Sequence, residues 1–460
     1  MSLADRIARS LFVALAVGLG WGIRGDFGHV VGAMFPGACL GLGLAYVSGQ
    51  RSLFRWMPII AALAALGIGA GGTMSYGILH GYAQSDTPIN YSYGFLTLFL
   101  QGSAWGTFGG ALIGLVLERK PLQTGEWLGW LASIFIGGWL TVFVVVQVIG
   151  FHINPPRSNS SIAFMGAALA QIAWLAANGK TSGLRGAVLG YVGFGLGMAV
   201  GRLLGNIANV LQEPWGFSIN HWNVMEVSCG LIGGFIYTFG MVNRAYPDPP
   251  EKQSVPWASV AGMIYVLGLI PLWHRLSRIP SARKLEEWTS QLTSYGYAEP
   301  ATLAEQNLWW MDGVCVLGFI GAGLWMVIHF RGWQRLAALP VLWLCGTMVL
   351  FQNLNALYFF YPRQEKQLNM HTVFWVLFGA MVLYALVARP RPTTTPLAEI
   401  DAPEPRFHWI GWLAGGLAVL GLAIVAAGFV NGERTMTSAN TRWPQWVWTE
   451  GPFPRDAKPQ

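Results

Sequence analysis

Long apolar runs, separated by short polar turns, follow one another along almost the whole chain. A helix that crosses a bilayer needs roughly 17–25 predominantly apolar residues. Windows of that kind fall at 8–23, 29–48, 57–80, 93–117, 128–151, 162–178, 184–207, 221–242, 255–275, 313–330, 337–357, 371–388 and 409–430. The pattern predicts an all-α polytopic integral membrane protein of about 13 transmembrane helices, or twelve if one of the short windows is not a span.

Glycine divides this series. Of 59 glycines, 42 lie in residues 1–245. Small residues let membrane helices approach closely, where packing rather than hydrophobicity drives association. The expected organisation is a glycine-rich eight-helix transmembrane core over 1–245, followed by a cytoplasmic linker at 246–254. A five-helix region at 255–430 then has an outward loop at 276–312 and an inward loop at 389–408, and a Trp-rich tail occupies 431–460. GxxxG pairs recur at Gly37/Gly41, Gly106/Gly110 and Gly230/Gly234, with Gly166/Ala170 as a small-residue version, which reads as four hairpin-like repeats. Repeats of that kind favour a transporter-like build with a site where they meet. Residues 281–296, SARKLEEWTSQLTSYG, read as a short amphipathic helix lying at the interface.

Charge sets the expected orientation, because cytoplasmic loops carry an excess of Lys and Arg. With the N-terminus in the cytoplasm, the inward loops of the first eight helices hold Arg6, Arg9, Arg51, Arg55, Arg119, Lys120, Lys180, Arg185, Arg244 and Lys252. The outward loops hold Arg24 and Arg157. The expected setting is a bacterial inner membrane, with the first apolar run retained as a helix. The second half gives a weaker bias, so the side of the C-terminal tail depends on the helix count.

Composition agrees with the pattern and narrows the function. The chain is 53% hydrophobic and 11% charged, against about 25% charged in soluble domains, and its mean hydropathy is +0.45. The net charge of +7 is spread over short loops, with no Lys/Arg tract of the kind that binds nucleic acid. Cys39, Cys229, Cys315 and Cys345 sit inside apolar runs without paired spacing, which supports neither a disulfide framework nor a cysteine metal site. Phosphate-binding P-loop, HExxH and GxSxG motifs are missing from the sequence, which argues against ATP hydrolysis and gives no cofactor a binding signature.

The residues that bear chemistry cluster in a few places. GWGIRGDFGHVVGAMFPG, residues 20–37, crowds Arg24, Asp26 and His29 among glycines within membrane-length apolar sequence. Charged side chains at such depth are costly and mark functional sites by default. Asp26 is expected to cap the second helix, and Arg24 suits a carboxylate, phosphate or sulfate. The simpler alternative is a tight hairpin in which Arg24 and Asp26 satisfy each other. His29, His80, His152, His221, His274 and His371 all fall at outward helix ends, where imidazoles can relay protons. Arg202 and Glu226, on the seventh and eighth helices, are expected to pair, with Asn206, Asn209, Glu213, Asn220, His221 and Asn223 between them. A further polar group, from Gln352 to His371, reads as an aromatic belt or a headgroup rim.

These features point first to a transporter or permease for a small anionic solute with proton coupling. Its solute-binding residues would be Arg24, Asp26, His29, His80, Arg202, Asn206, His221 and Glu226, its partners membrane lipid and the solute. An integral membrane enzyme acting on a lipid or lipid-linked sugar at the extracytoplasmic face is the second reading. A non-catalytic subunit of a membrane assembly is the third.

Overall fold

The computed structural model of the 460-residue chain describes residues 1–155, 157–216, 218–246, 256–277, 280–362, 367–388 and 407–432, with Met436 and Ala439. The linker from 247 to 254, the inward loop up to 406 and nearly all of the Trp-rich tail lie outside the described residues. About 84% of the described residues are helical. Its β-structure, among the described residues, is a two-residue parallel pairing of β1 (Ser218–Ile219) with β2 (Gln367–Leu368).

Twelve helices among the described residues are long and apolar enough to cross a membrane, so this is a multi-pass membrane protein. The window at 93–117 is the one without a counterpart among the twelve. It falls in α5 (Pro88–Val116), a 29-residue helix that carries buried Asn90, Thr97, Gln101, Ser103 and Thr107. That polar content is tolerated because α5 lies inside the bundle against α8 (Thr181–Trp215) rather than against lipid. Gly106 and Gly110 of α5 meet Gly190 and Gly186 of α8, backbone against backbone, so a methyl group at any of the four would strike the partner's carbonyl.

The other small-residue pairs also mark close crossings, but with different kinds of partner. Gly37 and Gly41 of α2 (His29–Ser48) face Ala64 and Ala61 of α3 (Arg51–Gly71), the next helix. Gly230 and Gly234 of α9 (His221–Met241) face Val17 and Ala14 of α1 (Leu3–Arg24), the first helix. Gly166 of α7 (Ser160–Ala177) meets Thr141 of α6 (Thr124–Val142). The four sequence-similar pairs thus build four different neighbour relationships. Helices α6 and α7 form a hairpin at the periphery, where Phe135, Ile136 and Trp139 are exposed.

The window at 57–80 divides in the structure. α3 stops at Gly71, a turn covers 72–76, and a short helix, α4 (Gly77–Ala83), follows inside the bundle. The two glycines at the break are there for contact: a side chain on Gly71 would run into Trp105, and one on Gly72 into the His29 backbone.

The remaining helices are α10 (Pro256–Met263), α11 (Ile270–Leu276), α12 (Ser281–Ser294), α13 (Pro300–Phe330), α14 (Leu339–Asn355), α15 (Met370–Ala388) and α16 (Trp409–Asn431). A π-helical segment, Ile264–Leu269, joins α10 to α11. The amphipathic α12 buries Trp288 and Leu292, and Trp288 Nε1 donates to the Asn355 carbonyl at 3.0 Å. These helices pack onto the first half rather than standing apart. α10 lies on α3, α14 on α1 and α2, α15 on α1, and α16 on α8 and α5. Cys39 Sγ of α2 lies 3.6 Å from Cys345 Sγ of α14.

The two ends of the bundle differ in chemistry. At one end Arg6 donates to the Phe239 carbonyl at 2.6 Å, Arg9 to Val47 at 2.5 Å and Arg185 to Gly240 at 3.5 Å. Arginine there completes the carbonyls that helix C-termini leave unpaired. The opposite end collects the finish of α1, the starts of α2 and α9, the turn after α3, and α4. That end holds the candidate site.

Candidate functional site

The hairpin at residues 24–32 is shaped by two glycines. Gly28 has φ of 91°, a conformation that side chains disfavour. Gly32 has no room for a Cβ because the Arg24 carbonyl occupies it. Together they fold the start of α2 back against the end of α1 and fix Arg24 at the top of α1, where it is 1% exposed.

Arg24 pairs with Glu226, not with Asp26, and Glu226 does not pair with Arg202. The Arg24 Nη2 to Glu226 Oε1 distance is 3.1 Å. Arg24 Nη2 also donates to the Tyr76 hydroxyl, which donates to Glu226 Oε1 at 3.1 Å. Gly25 leaves space for the Glu226 carboxylate. The Arg24 guanidinium lies 5.1 Å from the Trp21 ring centre, 5.2 Å from Tyr76 and 5.2 Å from Trp105, an aromatic cage of the cation–π type. The expected Arg202–Glu226 pair fails because the turn after α3 carries Tyr76 to Glu226 and completes its contacts with Arg24.

Arg202 has its own surroundings. It is fully buried, its Nε donates to Asn206 Oδ1 at 2.7 Å, and its guanidinium lies 5.8 Å from the Trp222 ring. Asn206 in turn donates to the Ala83 carbonyl at 3.0 Å and to Asn431 Oδ1 at 2.9 Å. Asn431, at the end of α16, donates to Ala83 and Ser85 carbonyls at 3.0 Å and 2.8 Å.

Between the two arginines runs a ladder of rings. His29 and Tyr76 are 5.2 Å apart, Tyr76 and His80 5.0 Å, His80 and Trp222 5.0 Å, and Trp222 and His221 6.1 Å. His80 is fully buried and both of its ring nitrogens lack a hydrogen-bond partner among the described residues. Burial, then the charges of Arg202 and Arg24, push its pKa well down, so the imidazole is held neutral. Burial pushes the Tyr76 hydroxyl up, which keeps it a hydrogen-bond donor.

Of the eight residues singled out from the sequence, the structure brings Arg24, His29, His80, Arg202, Asn206, His221 and Glu226 into one continuous neighbourhood. Asp26 sits at its rim. It is exposed, lies in a single 3-10 turn, Gly25–Phe27, and accepts a hydrogen bond from Gln352. It is not the cap of α2, whose cap position is Gly28 with no side-chain bond. Asn220 caps α9, its Oδ1 accepting from Trp222 and Asn223 N–H. His152 lies apart and bonds Asn159 at 3.2 Å, and His274 lies against Phe27 at 4.7 Å. The side chain of Glu213 lies outside the described residues, as do Arg363, Glu365 and Lys366 of the expected rim.

Compared with protein families, curated proteins and solved structures, this chain matches none. Its chemistry therefore has to be read from its own residues. Among the described residues, no three His, Cys, Asp or Glu side chains are grouped so as to hold a metal ion.

Tyr76 and Asn431 escape a reading by sequence. Tyr76 sits within an apolar window that looks like continuous helix, and only the adjacent Gly71–Gly72 hints at a break there. Asn431 is a single polar residue at the end of the last described span, 225 positions from Asn206.

Proposed function

We propose that this protein is a permease for a small anion, with proton movement coupled through the histidine and carboxylate groups of the site. One observation carries this reading: the site buries two guanidinium groups against a single buried carboxylate. Arg24 retains Nε and Nη1, and Arg202 retains Nη1 and Nη2, as buried donors without a partner among the described residues. An unmatched charge in a low-dielectric interior is expensive. A carboxylate, phosphate or sulfate entering the site would neutralise the excess and accept from the unpartnered donors of one of the arginines.

The neighbouring groups supply the rest. Glu226, held by Arg24 and Tyr76, is the acid that exchanges a proton. Protonating it releases Arg24 toward the solute, so binding and proton uptake are linked. The twelve spans and the location of the site at the ends of several helices support passage across a bilayer.

The test is uptake into proteoliposomes of radiolabelled monocarboxylates, inorganic phosphate and sulfate under an imposed proton gradient. The expected result is gradient-driven uptake of one anion class, reduced roughly tenfold or more by Arg202→Gln, as the loss of a charged hydrogen bond predicts. Uptake that ignores the gradient and survives Arg24→Gln and Arg202→Gln would overturn it.

One observation favours a second reading. A neutral histidine with free nitrogens beside two arginines is also the arrangement of a general base next to an oxyanion. An integral membrane enzyme acting on a lipid-linked phosphate would use His80 in that role. Turnover in detergent, abolished by His80→Gln and requiring no sealed vesicle, would separate it from a permease.

A further inference from the structure

Away from the charged site, α13 carries a largely apolar groove with two amide residues, Gln306 and Asn307, at one end. The groove encloses about 610 Å³ between α13, α14 and the turn after α14, inside the range of about 300–1,000 Å³ usual for small-molecule sites. Asn307, Trp310, Gly313 and Leu317 line it from α13, and Leu354 lines it from α14. Trp310 is 70% exposed and Leu317 43%, so the groove opens on the outer surface of the helix bundle.

The length of α13 gives the groove its depth. Its 31 residues span about 46 Å at roughly 1.5 Å per residue, against about 30 Å of hydrocarbon. With Phe330 taken as the opposite boundary, about 30 Å of hydrocarbon ends near Trp310. Trp309 and Trp310, both strongly exposed, are the residues expected at that boundary. Gly313 and Leu317 then lie at acyl-chain depth, and Gln306 and Asn307 at headgroup depth. A surface of this polarity, facing outward from a membrane helix, matches a lipid lying parallel to α13.

Asn307 narrows the choice of lipid. It is 1% exposed, its Nδ2 donates to the Leu354 carbonyl at 2.9 Å, and its Oδ1 has no partner among the described residues. What remains is an acceptor, so the complementary headgroup carries an N–H or O–H donor. We propose that this groove seats one glycerophospholipid with a donor-bearing headgroup, its acyl chain over Gly313 and Leu317 and its donor at Asn307. Phosphatidylethanolamine has such a donor; phosphatidylcholine has none.

The experiment is native mass spectrometry of the full chain after reconstitution in vesicles of equal phosphatidylethanolamine and phosphatidylcholine and mild re-extraction. One retained phosphatidylethanolamine per chain is expected, favoured roughly fivefold over phosphatidylcholine, the scale of one hydrogen bond. Gly313→Trp, at a position where an added side chain meets open space, and Leu317→Trp both fill the groove and should release the lipid. Val316→Trp adds the same bulk on the exposed surface outside the groove and should retain it. Asn307→Leu should keep a lipid but lose the headgroup preference. Retention unaffected by both groove-filling variants, equal retention of the two lipids by the unaltered chain, or a dimer whose interface covers the groove would each overturn the assignment.

Discussion

Arg24 and Glu226 stand 202 positions apart in the chain and 3.1 Å apart in space. The contact joins the first span to the ninth helix, and Tyr76, from a turn between spans, bridges the same two groups. Breaking such a pair leaves one charge stranded in a buried setting, which costs about 3–5 kcal/mol. Glu226→Leu and Arg24→Leu should therefore each lower the thermal unfolding temperature in detergent markedly. The double variant should lose less than the sum, because neither charge is left alone. Additive losses would show that the two groups do not interact.

His80 makes stability depend on pH in a definite direction. Its pKa in the folded chain lies below the ordinary histidine value, so below about pH 6.5 the unfolded chain binds the extra proton and the folded chain resists it. Its contribution is complete above that pH and is lost as pH falls, with a slope of up to about 1.4 kcal/mol per unit. Melting curves from pH 5 to 7.5 should show a shallower acid loss in His80→Gln than in the unaltered chain. Parallel profiles would place His80 in an ordinary, solvated setting.

The Asn206–Asn431 contact predicts that the last described span contributes to the site at the opposite end of the sequence. Asn431→Ala removes donors from two backbone carbonyls and a partner from Asn206. A loss of about 1–3 kcal/mol is expected. Proteolysis in mild detergent should then cut the stretch around Ser85 faster than in the unaltered chain. Unchanged cleavage would mean that α16 does not anchor that turn.

Glycine at position 32 is required by contact. Gly32→Ala drives a methyl group into the Arg24 carbonyl and should destabilise by about 1–3 kcal/mol or more. Gly323→Ala, on the same kind of membrane helix but with nothing nearby, should be close to neutral. Equal expression and melting of the two variants would contradict the close approach of α1 and α2.

Proximity of α2 and α14 can be tested with the two native cysteines. A protease site inserted within 247–255, treated with a membrane-permeant oxidant and then cleaved, should yield one band without reductant and two with it, through Cys39 and Cys345. Cys345→Ser should give two bands under both conditions.

Much of this arrangement was readable in the chain, for identifiable reasons. Membrane spans announce themselves because the bilayer demands about 20 apolar residues whatever the neighbours are. Arg24, His80, Arg202 and Glu226 stood out because charge and imidazole are rare in such runs. Their pairing was not readable. Glu226 has two arginines within reach of its helix, and the choice between them depends on where Tyr76 is delivered. That delivery depends on a break at Gly71–Gly72, inside a window long enough to read as one span. The buried α5 shows the converse. Its polar residues weaken the apolar signal because other helices, not lipid, surround it.

Asn431 has a consequence for how the protein is made. Asn206 and the Ala83 carbonyl belong to segments synthesised long before α16, yet their shared contact is complete only when residue 431 joins it. The Asn206 side chain that accepts from Arg202 therefore gains its Asn431 partner only once α16 has been made. A chain halted at any codon before 431 would lack the contact that ties α16 to Asn206 and the Ala83 carbonyl.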